Sequence, residues 1–293
     1  MKTRAEPVTE LACPQAKGSG TRAIDHAAAL RAELEAPIHN KMLDREVGRG
    51  ELDYEVYLRT RELLALQNRP NELVIPDELM FQVVHQTQEL WMKLLSHEAV
   101  NLVAALDEDE LGRAVLTLER MVRVLESMRT DIRVLDTLPP AKFLAIRRHL
   151  GDGSGQQSPG FNQLMVFAAG LERALSRLLG RRQATLEDVY GEAGAQPDLL
   201  MICEKLVDFD ELYQQWLVAH YHLVRRTMGV DRTVNALDGL PSRVLVGRMT
   251  KPLLPALWEI RVTLTNRWSR AGGHAPGAPR CPFSGRESAG REG

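Results

Sequence analysis

Cysteine is scarce in this sequence, and its three copies, Cys13, Cys203 and Cys281, are far apart. No CxxC pair occurs, which argues against a zinc knuckle and against a disulfide framework. Such usage fits a reducing cytoplasm, and a cytoplasmic protein is expected. No apolar run approaches the roughly 20 residues that a membrane-spanning helix needs. The opening stretch MKTRAEPVTELACPQ lacks a continuous apolar core, so no secretory signal is expected. Neither sign of charge dominates: 37 Lys and Arg stand against 39 Asp and Glu, a formal net charge of −2. That balance gives no reason to expect nucleic acid or an anionic membrane as partner. Strand-like alternating runs are few, no repeat recurs at solenoid spacing, and the phosphate-loop pattern GxxxxGK[ST] is absent.

What remains is helical. Hydrophobic residues make up 44% of 293 residues, enough for a substantial core. Residues 1–20 are polar and read as a disordered N-terminal segment, and 271–293, rich in Gly and Pro, as a disordered C-terminal tail. The stretch 21–270 between them, dense in Leu, Ala, Glu and Arg, reads as one all-α domain, a helical bundle. The spacing of apolar residues predicts helices over about Tyr54–Leu66, Asp77–Leu106, Glu110–Leu135, Asn162–Leu179, Asp198–Met228 and Pro252–Ser269. Asp77 is the expected N-cap of the long second helix. The glycines and Pro159 of Gly151–Phe161 predict a loop that packing or a ligand must fix.

Three clusters of polar and aromatic residues need an explanation. In the first, Phe81 and His85 stand one turn apart on a long helix, so they share a face. That pair presents an aromatic wall and an acid/base group to a pocket, or it is an interfacial histidine with its bonds satisfied. In the second, His220 and His222 are two apart, which on a helix points them about 200° from each other. They therefore cannot share one metal ion. Either is a structural histidine, or one is a single axial ligand to haem, which needs only one imidazole and a flat apolar slot. In the third, Arg147 and Arg148 end a helical stretch before the glycine loop. Arginine offers a planar fork that fits a carboxylate or a haem propionate, with Ser154 as a further donor. The plainer account is a solvated basic helix end.

Taken in order, these segments resemble the tryptophan 2,3-dioxygenase family. The similarity runs from about Tyr54 to Trp268. Tyr54-Glu-Val-Tyr57-Leu58 resembles its YxxYL. Asp77 to Phe81, then His85-Gln86 and Glu89-Leu90-Trp91-x-Lys93, resemble DE-x-LF-xxx-HQ-xx-ELW-x-K. Arg147 to Ser158 resembles R-xx-LG-x-SSG-x-QS. Leu206-Val207-Asp208 through Trp216 to His220 resembles LVD…W-xxx-H. Leu254 to Arg261 resembles FPELF-x-VR. The resemblance implies haem b held by His220 as axial iron ligand, and a distal pocket with Phe81 as wall and His85 near the reacting indole nitrogen. It also implies that Arg147 clamps the substrate carboxylate and that Ser154 lines the distal side. Tyr54 and Tyr57 would be contributed by a neighbouring subunit of a homo-oligomer, a tetramer or dimer.

The implied activity is oxygen insertion into the indole ring of L-tryptophan or a tryptophan derivative, using O₂ or peroxide. It would be a dioxygenase or an oxindole-forming monooxygenase. The wider superfamily adds haem-dependent tyrosine hydroxylation as an alternative, and a helical protein that has lost haem is another. Two departures stand out. Phe143 occupies the place of a tyrosine beside the carboxylate clamp, and Val230–Arg243 replaces a glycine-threonine loop that closes over the substrate.

Overall fold

The computed structural model describes residues 26–34, 41–46, 52–191, 196–237, 239, 241–242 and 244–267. The expected disordered ends, 1–20 and 271–293, lie outside these residues. The chain divides into two compact units, Met1–Leu66 and Gln67–Gly293. No helix is long and apolar enough, among the described residues, to cross a membrane.

Among the described residues, the first unit holds four short helices: α1 (His26–Leu34), α2 (Lys41–Glu46), α3 (Asp53–Leu58) and α4 (Thr60–Leu63). A single helix was expected over Tyr54–Leu66, and the structure corrects this. Arg59 has φ +54, a left-handed conformation that ends α3, and α4 starts afresh beyond it. Neither α3 nor α4 has a buried residue. With no packed face to hold one axis straight, a break costs little. Arg59 then pairs with Glu62 at 3.2 Å.

The second unit is an all-α bundle built on four long helices: α5 (Glu78–Asp107), α6 (Leu111–Asp131), α8 (Pro159–Arg181) and α10 (Pro197–Thr227). Shorter helices lie between and after them: α7 (Pro140–Arg147), α9 (Leu186–Tyr190), α11 (Val244–Met249) and α12 (Pro255–Arg267). Helix α5 packs against both α6 and α8, and α10 packs against α6. Their shared core includes Leu95, Leu102, Leu118, Leu125, Leu171 and Phe209, all fully buried. Each such side chain contributes roughly 2 kcal/mol on leaving water. No strand forms among the described residues; Asn235 and Pro241 make one isolated antiparallel bridge.

Boundaries differ from the sequence expectation where a polar bond or a turn decides them. Asp77 does precede α5, yet its side chain makes no capping bond. The buried Glu78 takes over instead, accepting from the Val74 N–H at 2.6 Å and from Asn68 Nδ2 at 3.2 Å. The helix expected to reach Leu135 ends at Asp131, and Ile132–Thr137 tightens into a 3-10 helix. Ile132 and Leu135 are buried by that turn, and Pro140 can then open α7.

Helix α12 is fastened by one buried carboxylate. Asp210, fully enclosed on α10, accepts from the backbone N–H groups of Leu253 and Leu254, both at 2.9 Å, and from Trp258 Nε1 at 3.0 Å. Gln214 Nε2 adds a fourth bond at 3.2 Å. A buried carboxylate is tolerable only with this many donors. Replacing it by Ala leaves three or four donors without partners in a dry site. Asp210→Ala is therefore expected to lower unfolding stability by about 3 kcal/mol, read as a shifted urea midpoint.

Candidate functional site

A cavity of about 240 Å³ opens inside the second unit. Helix α5 contributes Phe81, His85 and Gln88; α10 contributes Trp216, His220 and Val224. Leu135, Leu138 and Phe143 close a third side, and most of the lining is apolar. Of the residues singled out in the sequence, Phe81, His85, Arg147, Ser154 and His220 all reach this one cavity.

Phe81 and His85 share a face of α5 as their spacing requires. Their ring centroids are 4.1 Å apart, and Phe143 lies 6.3 Å from Phe81. The Nδ1 of His85 is 2.7 Å from the Phe81 carbonyl oxygen. A carbonyl only accepts, so Nδ1 carries the hydrogen in the neutral ring, and Nε2 is left as an acceptor. His85 is open to the cavity but crowded by protein elsewhere. Desolvation lowers its pKa below that of a free imidazole, against the opposing pull of the Phe81 carbonyl and of Glu89.

His220 is held more strongly in the neutral form. Burial pushes its pKa down to about 4, and the nearness of His85 adds to that. Its imidazole makes no hydrogen bond with any described residue, while Trp216, one turn earlier on α10, lies 6.2 Å away ring to ring. A neutral imidazole with an unshared lone pair beside an apolar space could hold the metal of a flat cofactor. Its neighbour His222 is exposed on the outer side of α10. No group of three or more His, Cys, Asp and Glu gathers among the described residues to hold a bare ion.

Polar groups mark one end of the cavity. Arg147, at the last turn of α7, donates from Nη2 to the Asn235 carbonyl at 2.6 Å. Four further N–H donors remain on its guanidinium. Ser154 caps the short 3-10 turn Gly155–Gln157, accepting from the Gln156 N–H at 3.2 Å. The next turn is fixed by Glu89 of α5, whose carboxylate accepts from Ser158 Oγ and from the Gly160 N–H at 3.0 Å. Glycine is required at 160: a Cβ there would lie 2.7 Å from the Met92 Cβ. The expected loop Gly151–Phe161 is thus shorter than predicted, since α8 already begins at Pro159.

Tyr54 and Tyr57 belong to the first unit and are exposed on α3, Tyr57 by 87%. Sequence reasoning missed Arg248 of α11; Ala236, Leu237, Pro241 and Ser242, which also line the cavity, lie in Val230–Arg243, the segment set apart in the sequence as standing in place of a loop that closes over the substrate. The apolar pattern of so short a helix as α11 carries little periodic signal. The segment's fold rests on local polar bonds: Ser242 N–H donates to the Val234 carbonyl at 2.9 Å, and Thr233 bonds twice to Asp231.

Residues 39–177 match the family model described as Tryptophan 2,3-dioxygenase. The chain is 28% identical to the Tryptophan 2,3-dioxygenase of Herpetosiphon aurantiacus, over 73% of this chain and 98% of that protein. It is 29% identical to that of Anaeromyxobacter dehalogenans, over 76% and 100%, and 29% identical to that of Burkholderia mallei, over 88% and 100%. This is a family-level match, and the all-α bundle agrees with it. The family-model match spans Tyr54, Tyr57, Phe81, His85, Arg147 and Ser154, and stops before α10 and His220.

The depressed pKa of His220 has a consequence for the ligand-free protein. An unfolded imidazole titrates near 6.5, the folded one near 4. Between those values the unfolded chain binds a proton that the folded chain does not. Stability is therefore full above about pH 6.5 and declines as pH falls toward 4. The decline is about 3 kcal/mol. His220→Leu is expected to flatten it, which urea unfolding at about pH 7 and about pH 4.5 would show. An unchanged pH slope in the variant would contradict a neutral His220.

Proposed function

We propose that this chain, a family-level match to tryptophan 2,3-dioxygenase, is a haem-dependent oxygenase that inserts oxygen into the indole ring of L-tryptophan or a tryptophan derivative. The observation that carries this reading is the imidazole of His220, which makes no hydrogen bond with any described residue and whose burial disfavours protonation, in a largely apolar cavity that His85 also lines. That donor fits haem b, which takes one imidazole and a dry slot. When bound, haem b supplies the redox-active iron at which O₂ or peroxide is used.

The chain's own residues then divide the work. His220 would hold the haem iron, and burial, which resists protonation of its imidazole, keeps the lone pair available at neutral pH. His85 presents Nε2 as an acceptor for the indole N–H or for its proton, since Nδ1 is committed to the Phe81 carbonyl. Phe81 and Phe143 form an aromatic wall that holds a flat ring and keeps water out. Arg147 pairs with the amino-acid carboxylate, and a two-pronged pair fixes angle as well as affinity. Ser154 adds a hydroxyl on the same side. Tyr54 and Tyr57 complete the pocket of a neighbouring subunit in a homo-oligomer. A derivative rather than tryptophan itself is the second reading, favoured by the apolar lining that Phe143, Ala236, Leu237 and Pro241 place around Arg147.

Purified protein is expected to show a Soret band that His220→Ala abolishes and His222→Ala preserves. The reverse pattern would move the axial ligand to His222. Arg147→Ala is expected to raise the apparent Kd for tryptophan by about one to three orders of magnitude. Binding of 3-methylindole, which has no carboxylate, is expected to stay as in the parent. Equal weakening for both ligands would remove the carboxylate clamp. Product mass after incubation with tryptophan, methyltryptophans and tyrosine separates insertion of one oxygen atom from two, and identifies the substrate.

A further inference from the structure

Among the described residues lining the cavity, Arg248 is the one cation that the reading above leaves without a task. It lies near the end of α11, half-buried, with its guanidinium carbon 5.2 Å from the centroid of the Phe161 ring. It forms no hydrogen bond and no ion pair with any described residue. Arg147, by contrast, already donates to the Asn235 carbonyl. Glu89 is the sole carboxylate among the described residues lining the cavity, and it is committed to Ser158 and Gly160. A guanidinium carries five N–H donors, and withdrawing it partly from water without an acceptor is unfavourable. Its contact with Phe161 offsets only part of that. An anion entering the cavity would complete the arrangement.

The position of Arg248 says which anion. Phe161 lies 6.1 Å from Trp216, ring to ring, and Trp216 lies 6.2 Å from His220. Arg248 therefore continues the wall that bears His220. Arg147 belongs with Phe143 on α7, next to Phe81 and His85. A porphyrin held by His220 would carry its carboxylates on flexible arms at the ring edge, within reach of a cation on the His220 wall. A substrate approaching His85 needs one on the other. We propose that Arg248 binds one propionate of haem b, leaving Arg147 for the substrate carboxylate. This rests on the reading of the chain as a haem protein.

The test compares haem b with its dimethyl ester, which keeps the ring and iron but has no free carboxylate. Both are titrated into ligand-free wild type, Arg248→Gln and Arg248→Lys, following the Soret band. Arg248→Gln is expected to weaken haem b binding about ten- to a hundredfold while leaving the ester's affinity unchanged. Arg248→Lys is expected to recover part of the loss. Unchanged binding of the ester also reports that the variant is folded. Equal weakening of both porphyrins makes Arg248 a packing residue and overturns the proposal. So does unchanged haem affinity, or a loss confined to tryptophan binding, which assigns Arg248 to the substrate. If wild type binds neither porphyrin, the haem reading itself fails. If wild type binds haem b and Arg248→Gln binds it equally well, only the assignment of Arg248 fails.

Discussion

One buried side-chain amide sets the distance between the two histidines. Gln88 of α5 donates from Nε2 to the Met128 carbonyl of α6 at 3.1 Å and accepts from Trp216 Nε1 of α10 at 2.9 Å. It stands one turn beyond His85, and Trp216 stands one turn before His220. The two imidazoles therefore hang from helices joined at the cavity wall by a buried carboxamide that bonds to both α6 and α10. Such a bond is short in reach and strict in angle, and breaking it strands a buried donor. Leucines of comparable size would fill the space but would let α5 and α10 slide. Trp91 repeats the device one turn away, donating from Nε1 to Asp131 at 2.9 Å where α6 ends.

The same economy governs the entrance to α8. Glu89, adjacent to Gln88 in sequence, reaches across to the first turn of that helix and satisfies the Gly160 N–H that no helical partner serves. Its negative charge also suits the positive end of the α8 dipole. The close approach depends on Gly160, whose missing Cβ leaves room for Met92. Ser158 and the preceding turn, with Ser154, are thereby tied to α5. The loop before α8 has few apolar anchors of its own, so this carboxylate holds its shape.

The all-α class and the long helices were legible in the sequence because 20 to 30 residues of regular apolar spacing average out local exceptions. The ends were less so. The break at Arg59 depends on a helix pair with no buried face. The 3-10 turn at Ile132–Thr137 depends on burying Ile132 and Leu135 before Pro140, which spacing alone does not distinguish from one more helical turn. Of the cavity lining, Phe81, His85, Arg147, Ser154 and His220 stood out in the sequence because each sits in a block that resembles the family's motifs, on or next to a regular helix. Arg248 was not. Its helix has six residues, and what makes it unusual is that its guanidinium has no hydrogen-bond or ion-pair partner among the described residues, a property of three-dimensional packing.

This explains why the block from Phe81 to Glu98 is dense in polar and aromatic residues. A run devoted to chemistry would need Phe81 and His85 and little more. Gln88, Glu89 and Trp91 face α6, α10 and the start of α8, and each satisfies a polar group in a neighbouring element. Glu98, farther along, is buried and pairs with Arg120 of α6 at 2.7 Å. These are positional bonds, and they fall between one and four turns from His85. Rigid placement of an imidazole needs such neighbours, because a rotamer is only as fixed as the backbone that carries it. A sequence pattern records both kinds of residue alike. Telling them apart takes the geometry: the positional residues have hydrogen-bond or ion-pair partners within the chain, whereas the His220 imidazole and the Arg248 guanidinium have neither among the described residues and line a space that a ligand would fill.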